Sequence, residues 1–333
     1  VSGEAEAPRP AATIYDVAAR AGVNPSTVSR ALSKPGRVSA ATEARIRRAA
    51  EELDFRVNPI ARALLTGRTR TIGLVVADAT NPAVFGIVRG AEEVASAQDY
   101  TLVIAESRGD PDAEVATTDR LLLSVDGLIL ATTRLPDERI RSLAARKPVV
   151  LVNRRLDGVD AVLPDVESGV TALVAHLDAL GHRSVVYLAG AHGSWISERR
   201  WGAVQRAAAA RSMSVAQWGP HAPTIDGGRA LAPRILDESH TAVVAFNDLM
   251  AIGAMQAVVQ RGGAVPGDVS IAGFDDIFGS EFIVPALTTV RTPFEAAGRN
   301  AAGALLQRFD GVSWEPELLG TELIVRDSTG PRR

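Results

Sequence analysis

The chain contains no cysteine. Disulfides, thiolate metal sites, iron–sulfur clusters and cysteine nucleophiles are therefore excluded. No apolar run approaches the roughly 18 residues that a membrane span requires. The opening VSGEAEAPRPAAT lacks the apolar stretch of a secretory signal. These absences lead us to expect a cytoplasmic protein. Enzyme signatures are missing too: no G-x-S-x-G, H-E-x-x-H, P-loop or G-x-G-x-x-G follows a strand-like run. The histidines His176, His182, His192, His221 and His240 show no metal spacing. His182 falls at a helix C-terminus and reads as structural. His192 and Ser194 are neighbours with no carboxylate to orient them. No catalytic residue, metal or cofactor is expected.

What is present is ordinary in bulk and uneven in charge. The 333 residues are 46% hydrophobic and 23% charged, the balance of a globular protein. At roughly 150 residues per domain, about two domains are expected. Residues 1–70 hold 12 Lys and Arg against 7 Asp and Glu, a charge of +5, and the remainder carries −8. A basic head on an acidic body suggests that the head meets a polyanion, although a solvated surface has the same composition.

Residues 1–12 are Ala, Pro and Glu without periodicity and read as disordered. Three short helices follow, over about Ile14–Ala21, Pro25–Leu32 and Ala40–Leu53. Thr13 and Asp16 have the spacing of a capping box. Asn24 and Ser39 stand at the other two N-caps, and Pro25 takes a first helical position. Between the first two helices, Ala18-x-x-x-Gly22-Val23-x-x-x-x-Val28 has helix-turn-helix spacing. Ala18 permits a close crossing, Gly22 supplies the positive φ of a tight turn, and Val23 and Val28 fill the wedge. A helix–Gly–helix pattern alone also fits any small three-helix bundle.

The longer string TIYDVAARAGVNPSTVSRAL resembles the DNA-binding headpiece of the LacI/GalR family of bacterial transcription regulators. The resemblance continues through VSAATEARIRRAAEELDFRVNPIARALLTGRTRTIGLVV and into the body, covering about 320 of the 333 residues. It implies a headpiece at 13–57. Pro25, Ser26 and Arg30 fall at its base-reading positions. Pro25 offers only apolar contact, Ser26 reads ambiguously, and Arg30 suits bidentate pairing with guanine. Thr13, Tyr15, Asn24, Thr27, Ser29, Arg37, Ser39 and Thr42 fall at phosphate-contact positions. For each Ser or Thr, helix capping is the competing role.

Residues 58–70 form the expected hinge. Asn58 caps, Pro59 starts and Gly67 stops a helix of about seven or eight residues, which is too short to hold itself in water. The resemblance implies that two such helices meet in the minor groove. Leu64 falls at the wedge position and Ala61 faces the groove floor. An amphipathic linker packed on its own body is the alternative. Arg68 and Arg70 extend the basic stretch toward phosphates.

From Thr71 short apolar runs alternate with amphipathic helices. TIGLVVA, YTLVIAE, VDGLILA, PVVLVN, SVVYLAG, TAVVAFN and VSIAGFD are nearly continuous Val, Ile and Leu, as strands buried on both faces are. Strict β/α alternation predicts doubly wound α/β architecture. The pattern occurs twice, giving subdomains of 71–163 and 164–286. The resemblance implies a periplasmic-binding-protein-like body. In it, residues 287–320 rejoin the first subdomain and 321–333 add a C-terminal strand and tail.

Ligands in such sheets sit beyond the carboxyl ends of strands. That rule selects Asp78, Asn81, Asn153, Arg154, Asn247, Asp248, Asp275 and Asp276. Helix capping is the competing role of Asp248 and Asp276, and Asp78 reads as structural. The resemblance places effector contacts at Asn153, Arg199, Asn247 and Asp275, with a wall of Ala83, Val84, Phe85 and Ile87 and aromatic faces from Trp195 and Phe294. Many members carry an aspartate where Asn153 stands. WGPHAPTIDGG has no clear aromatic at the place of a usual pocket ring. An arginine, carboxylates, carboxamides and an aromatic plate suit a polyhydroxylated ligand. The expectation is a homodimeric or higher-order ligand-responsive repressor of a pseudo-palindromic operator, with a sugar or sugar derivative as effector. The alternatives are a sugar-binding protein without a DNA role, or a regulator with a purine or other non-sugar effector.

Overall fold

The computed structural model describes residues 12–33, 36–55, 63, 67–238, 240–315 and 318–332. The contacts divide the chain into two compact units, Val1–Thr69 and Arg70–Arg333.

In the first unit, α1 (Ile14–Ala21), α2 (Pro25–Ser33) and α3 (Ala40–Glu52) pack around Val17, Ala18, Ala21, Val28, Ala31, Ile46 and Ala49. The local signals explain the ends. The Thr13 hydroxyl accepts from Asp16 N–H, and Thr13 N–H donates back to Asp16 at 2.8 Å. These Thr13 hydrogen bonds hold the Asp16 carboxyl below its ordinary range. Gly22 ends α1 with φ 61°, a conformation a Cβ would oppose. Ser39 caps α3 by accepting from Thr42 N–H. Arg20 on α1 donates to Glu52 at the end of α3 at 2.7 Å, tying first helix to last.

The second unit contains two six-stranded sheets. The first has the order β11-β5-β4-β3-β1-β2. Its strands are β1 (Thr71–Val76), β2 (Thr101–Glu106), β3 (Gly127–Ala131), β4 (Val149–Val152), β5 (Asp160–Pro164) and β11 (Leu318–Leu319). The second has the order β12-β10-β9-β8-β6-β7. Its strands are β6 (Ser184–Leu188), β7 (Ser214–Trp218), β8 (Ala242–Ala245), β9 (Ser270–Asp275), β10 (Thr288–Arg291) and β12 (Glu322–Ile324). Between these strands, all pairings are parallel except β10 with β12. Covered on both faces, β3, β4 and β8 are buried at every residue.

The structure differs from the sequence expectation in several places, among them β5 (Asp160–Pro164), which is not among the expected runs. The run YTLVIAE becomes β2, an edge strand with Val103 and Ile104 exposed rather than enclosed. The mixed run Ser214–Trp218 is also a strand, because an edge position does not demand a continuous apolar pattern. Residues 288–291 pair with β9 in the second sheet, so the chain returns to the first half after Arg291 rather than at Leu287. There α12 (Phe294–Phe309) packs on α4 (Ala83–Ala97) through Ile87, Ala91, Ala297 and Ala301.

Three crossovers join the halves: after β5, after β10, and between β11 and β12. Two are tied together. Asp165 N–H donates to the Leu319 carbonyl at 2.7 Å, and the Thr321 hydroxyl donates to the Asp165 carbonyl at 2.7 Å. Buried His182 fastens the C-terminal tail. Its Nδ1 lies 2.9 Å from the Thr241 hydroxyl and its Nε2 3.1 Å from the Gly330 carbonyl. Burial holds this imidazole below its ordinary pKa, which keeps it neutral and able to both donate and accept. Among the described residues, no helix is long and apolar enough to cross a membrane.

Candidate functional sites: a helix-turn-helix face and an inter-sheet cleft

The second helix of the head presents its N-terminal end outward. Ser26 and Arg30 are exposed and Pro25 is half-buried, while Val28 between them is fully buried. This division follows from helical geometry, in which the face opposite the core stripe is free. Asn24, Tyr15 and Arg37 are exposed, and Thr27, Ser29 and Thr42 are half-buried. Arg20 and Arg47 are engaged by Glu52 and Glu43. Among the described residues, Arg30 and Arg37 have no such carboxylate partner, so their charge is available to a polyanion. Thr13, Ser39 and Thr42 are occupied by capping: Thr13 donates to Asp16 at 2.7 Å, and the Ser39 and Thr42 hydroxyls lie 2.9 Å apart. Arg70 belongs to the body, its guanidinium donating to the Gln98 carbonyl at 3.1 Å beside the Tyr100 ring. Ala61 and Leu64 lie outside the described residues.

In the second unit, a cleft of about 660 Å³ opens where strands of both sheets end. The strand order reverses at β1 and at β6, so adjacent connections part there and leave a crevice. Arg108, Thr132, Asn153 and Asp275 line it, and all four are non-glycine residues with positive φ, of 53°, 57°, 62° and 112°. Left-handed backbone costs Arg108 and Thr132 about 1–2 kcal/mol each, and Asn153 less. Four of the nine such residues among the described ones line this cleft, and strain held at a cavity is a pointer to function.

The core of the cleft is a buried ion pair. Arg200 Nη2 donates to Asp275 Oδ1 at 2.8 Å, and Nη1 donates to the Phe246 carbonyl. The guanidinium lies 4.5 Å from the Phe274 ring centroid and 5.1 Å from that of Phe246. Burial pushes the Asp275 carboxyl up, against the pull of Arg200. Beneath it, Asp248 accepts from Ile277 N–H at 3.0 Å, the Ser280 hydroxyl at 2.7 Å and the Thr289 hydroxyl at 2.5 Å. Burial, reinforced by the Asp275 charge, pushes Asp248 up to about 7. Asp248 thus braces the loops that carry Asp275 and is not a helix cap. Asp276 is likewise structural, paired with Arg291 at 2.8 Å and Arg326 at 2.7 Å. Asn247 lines the cleft while its Oδ1 caps α11 (Asp248–Gln260) and its Nδ2 donates to the Pro223 carbonyl.

Of the residues expected to contact an effector, Ala83, Val84, Ile87, Asn153, Asn247, Asp275 and Phe294 line the cleft. Phe85, Trp195 and Arg199 do not. Phe85 is 57% exposed on the far side of α4. The sequence SERRWGAV offers two consecutive arginines, and a helix turns about 100° per residue. In α8 (Trp195–Ala209), Ile196 and Arg200 share the cleft face, four residues apart. Trp195 and Arg199 share another face, where Arg199 lies over the Trp195 ring and faces Glu167 at 3.8 Å. Of these two arginines, Arg200 is the one that lines the cleft. Glu106, Arg108 and Arg134 also line it and were not selected from the sequence. The strand-end rule reaches them once it is applied after β2 and β3 as well.

Comparison with known proteins bears on both sites. The model of bacterial regulatory proteins of the lacI family matches residues 13–58, and that of a periplasmic binding protein-like domain matches 174–329. The HTH-type transcriptional repressor CytR of Escherichia coli (strain K12) is 33% identical over 333 residues, covering 96% of each chain. The fold is similar to that of the Lac repressor dimer bound to operator and the anti-inducer ONPF. The TM-score is 0.86 at 27% identity, over 96% of this chain and 100% of that one. A LacI family regulator from Enterococcus faecium with bound ribose gives a TM-score of 0.71 at 27% identity, over 79% of this chain and 100% of that one.

Proposed function

Because the chain belongs to the LacI family of bacterial regulatory proteins, we propose that it represses transcription by binding a pseudo-palindromic operator as a dimer, under the control of a polyhydroxylated small molecule held in the cleft. The observation that carries the effector half is the Arg200–Asp275 pair. A buried ion pair is costly to maintain for stability alone. This one lies in the wall of an open cleft between two halves joined by three crossovers. A ligand whose hydroxyls donate to Asp275 and accept from Arg200 in the second half, and also meet Asn153 in the first, draws the halves together, a hinge closure.

At the DNA, Arg30 is the base reader of largest effect, with Pro25 and Ser26 beside it. Tyr15, Asn24, Thr27, Ser29 and Arg37 set register on phosphates, together with Thr13, Ser39 and Thr42 where capping leaves a lone pair free. By family resemblance, Ala61 and Leu64 enter the minor groove at the operator centre. A short hinge helix folds only against its twin and the duplex, so a ligand that alters the hinge spacing adds an ordering cost to DNA binding. A coupling of about 1–3 kcal/mol corresponds to roughly 5–150-fold in operator affinity.

The dimer face we assign is the edge of the first sheet. Strand β2 is unpaired on one side and exposes Val103 and Ile104, and Phe85 stands 57% exposed on the neighbouring α4. An unpaired apolar edge is a template for a second copy unless charge blocks it. Ile104→Lys is therefore expected to raise the dimer dissociation constant by at least about 100-fold in sedimentation equilibrium, with operator binding falling in parallel. An unchanged dimer would place the interface elsewhere; monomers that bind operator undiminished would contradict the dimeric reading itself.

A further inference from the structure

The cleft is lined by a second cation, Arg134, that makes no direct ion pair among the described residues. Arg134 follows β3 and lines the half of the cleft built by the first sheet. Its guanidinium has five N–H donors. One bond is made, from Nη1 to the Gly109 carbonyl at 2.6 Å. Among the described residues, Arg134 forms no ion pair. The other charges of the wall are accounted for. Arg200 is matched by Asp275, Asp78 accepts from the Thr80 hydroxyl and N–H, and Glu106 accepts from Ala79 N–H at 2.9 Å with Arg108 at 3.8 Å.

The Glu114 carboxylate attracts Arg134 through space but makes no direct ion pair with its guanidinium. Glu114 is buried and accepts from the Arg134 backbone N–H at 3.1 Å, not from its guanidinium. Burial pushes the Glu114 carboxyl up and the Arg134 guanidinium down, and the attraction between the two opposes both shifts. The remaining guanidinium nitrogens are not sealed in the core. Among the described residues, the buried unpartnered side-chain nitrogens are Arg139 Nε and His221 Nε2 alone. The unbonded Arg134 donors therefore keep some exposure on a half-buried side chain that lines the cleft. Gly109 positions them: at φ +64°, a Cβ there would lie 3.0 Å from Arg134 Nη2 and 3.3 Å from its Cζ. The bare loop lets the guanidinium rest flat against it.

We propose that the effector carries an anionic group, a phosphate or a carboxylate, seated on Arg134 across the cleft from the Arg200–Asp275 pair. The inference rests on the reading of this cleft as the effector site. It narrows the class from neutral sugars to sugar phosphates and sugar acids, whose hydroxyls meet Arg200 and Asp275 while the acid group takes the planar donor fork of Arg134.

The test uses the full-length protein and two kinds of probe at matched ionic strength. Inorganic phosphate, the minimal anion, is followed by the unfolding temperature of the body. Hexose and pentose monophosphates and aldonic acids, each beside its uncharged parent sugar, are followed by isothermal titration. Phosphate is expected to stabilise the wild type but not Arg134→Gln. At least one anionic compound should bind about tenfold or more tightly than its parent. Arg134→Gln should erase that preference, Arg134→Lys should keep only part of it, since a point charge replaces the planar fork, and Arg141→Gln, a surface residue that does not line the cleft, should leave it unchanged. A phosphate response that survives Arg134→Gln, or is absent from the wild type, overturns the inference. So does a panel in which no anionic compound binds more tightly than its parent sugar; if the binding of a neutral sugar is then lost in Asp275→Asn, the cleft remains the effector site. Ligands of either class that bind indifferently to Asp275→Asn would instead overturn the cleft reading.

Discussion

Asp275→Ala should cost about 3–5 kcal/mol of folding stability and abolish the response to any effector. The reason is what it leaves behind. Arg200 is buried, and its guanidinium is held by the Asp275 carboxylate, the Phe246 carbonyl and the Phe274 and Phe246 ring faces. Removing the carboxylate strands a buried cation. The rings offset little of that, since a cation–π contact contributes about 0.5–2 kcal/mol. A double substitution distinguishes a stranded charge from a lost contact. Arg200→Met together with Asp275→Asn removes both charges, and the pair should be less destabilised than the sum of the two single variants. Urea unfolding measures each. Single variants within about 1 kcal/mol of wild type, or strictly additive ones, would show that the pair does not form in solution. Operator binding in the ligand-free state should persist in any variant that stays folded, because the head has its own core of Val17, Val28 and Ile46.

The second large effect concerns specificity. Arg30→Ala should relax the base preference at one position in each half-site by about 1–3 kcal/mol, while other positions keep theirs. Arg30 is exposed on the helix face opposite buried Val28, and no carboxylate among the described residues competes for it. Replacement should not disturb the fold, since its neighbours Val28 and Ala31 supply the packing. Binding to randomised duplexes, read by sequencing, resolves the effect position by position. Equal weakening on every sequence, with a shallower salt dependence, would identify Arg30 as a phosphate contact instead.

The head was legible nearly residue by residue because its signals are local. Thr13 with Asp16, Gly22 and Ser39 act within four residues of where they stand, so pattern and structure coincide. The central strands were legible because burial on both faces forces continuous Val and Ile. The edges escaped for the complementary reason. Strand β7 reads Ser-Val-Ala-Gln-Trp, and β2, though apolar, carries its exposed face unannounced. Placing Thr288–Arg291 in the second sheet required knowing which strand it joins, a long-range fact that local composition does not encode.

The cleft shows the same division. Asn153, Asn247 and Asp275 were found by a rule about strand ends, which depends only on topology. Arg200 was missed beside Arg199, because choosing between adjacent arginines needs the rotational phase of α8 to within one residue. Ile196 carried that phase: it is apolar and lies one helical turn before Arg200, whereas Trp195, an amphipathic ring, also sits well in a half-exposed position. Phe85 shows the limit of aromatic residues as pocket markers, since a large apolar side chain on a helix serves a partner surface as readily as a ligand.

Repression and its control by a ligand both require that this chain select a duplex as a symmetric pair. The direct measurement is to incubate the full-length protein with random duplexes under stringent salt, sequence those retained, and repeat the retention with the compounds that stabilise the body. We predict enrichment of two inverted half-sites about a fixed centre, and a shift in retention of roughly 5–150-fold when such a compound is present. Retention no better than random competitor, or an asymmetric single site indifferent to every stabilising compound, would contradict the account.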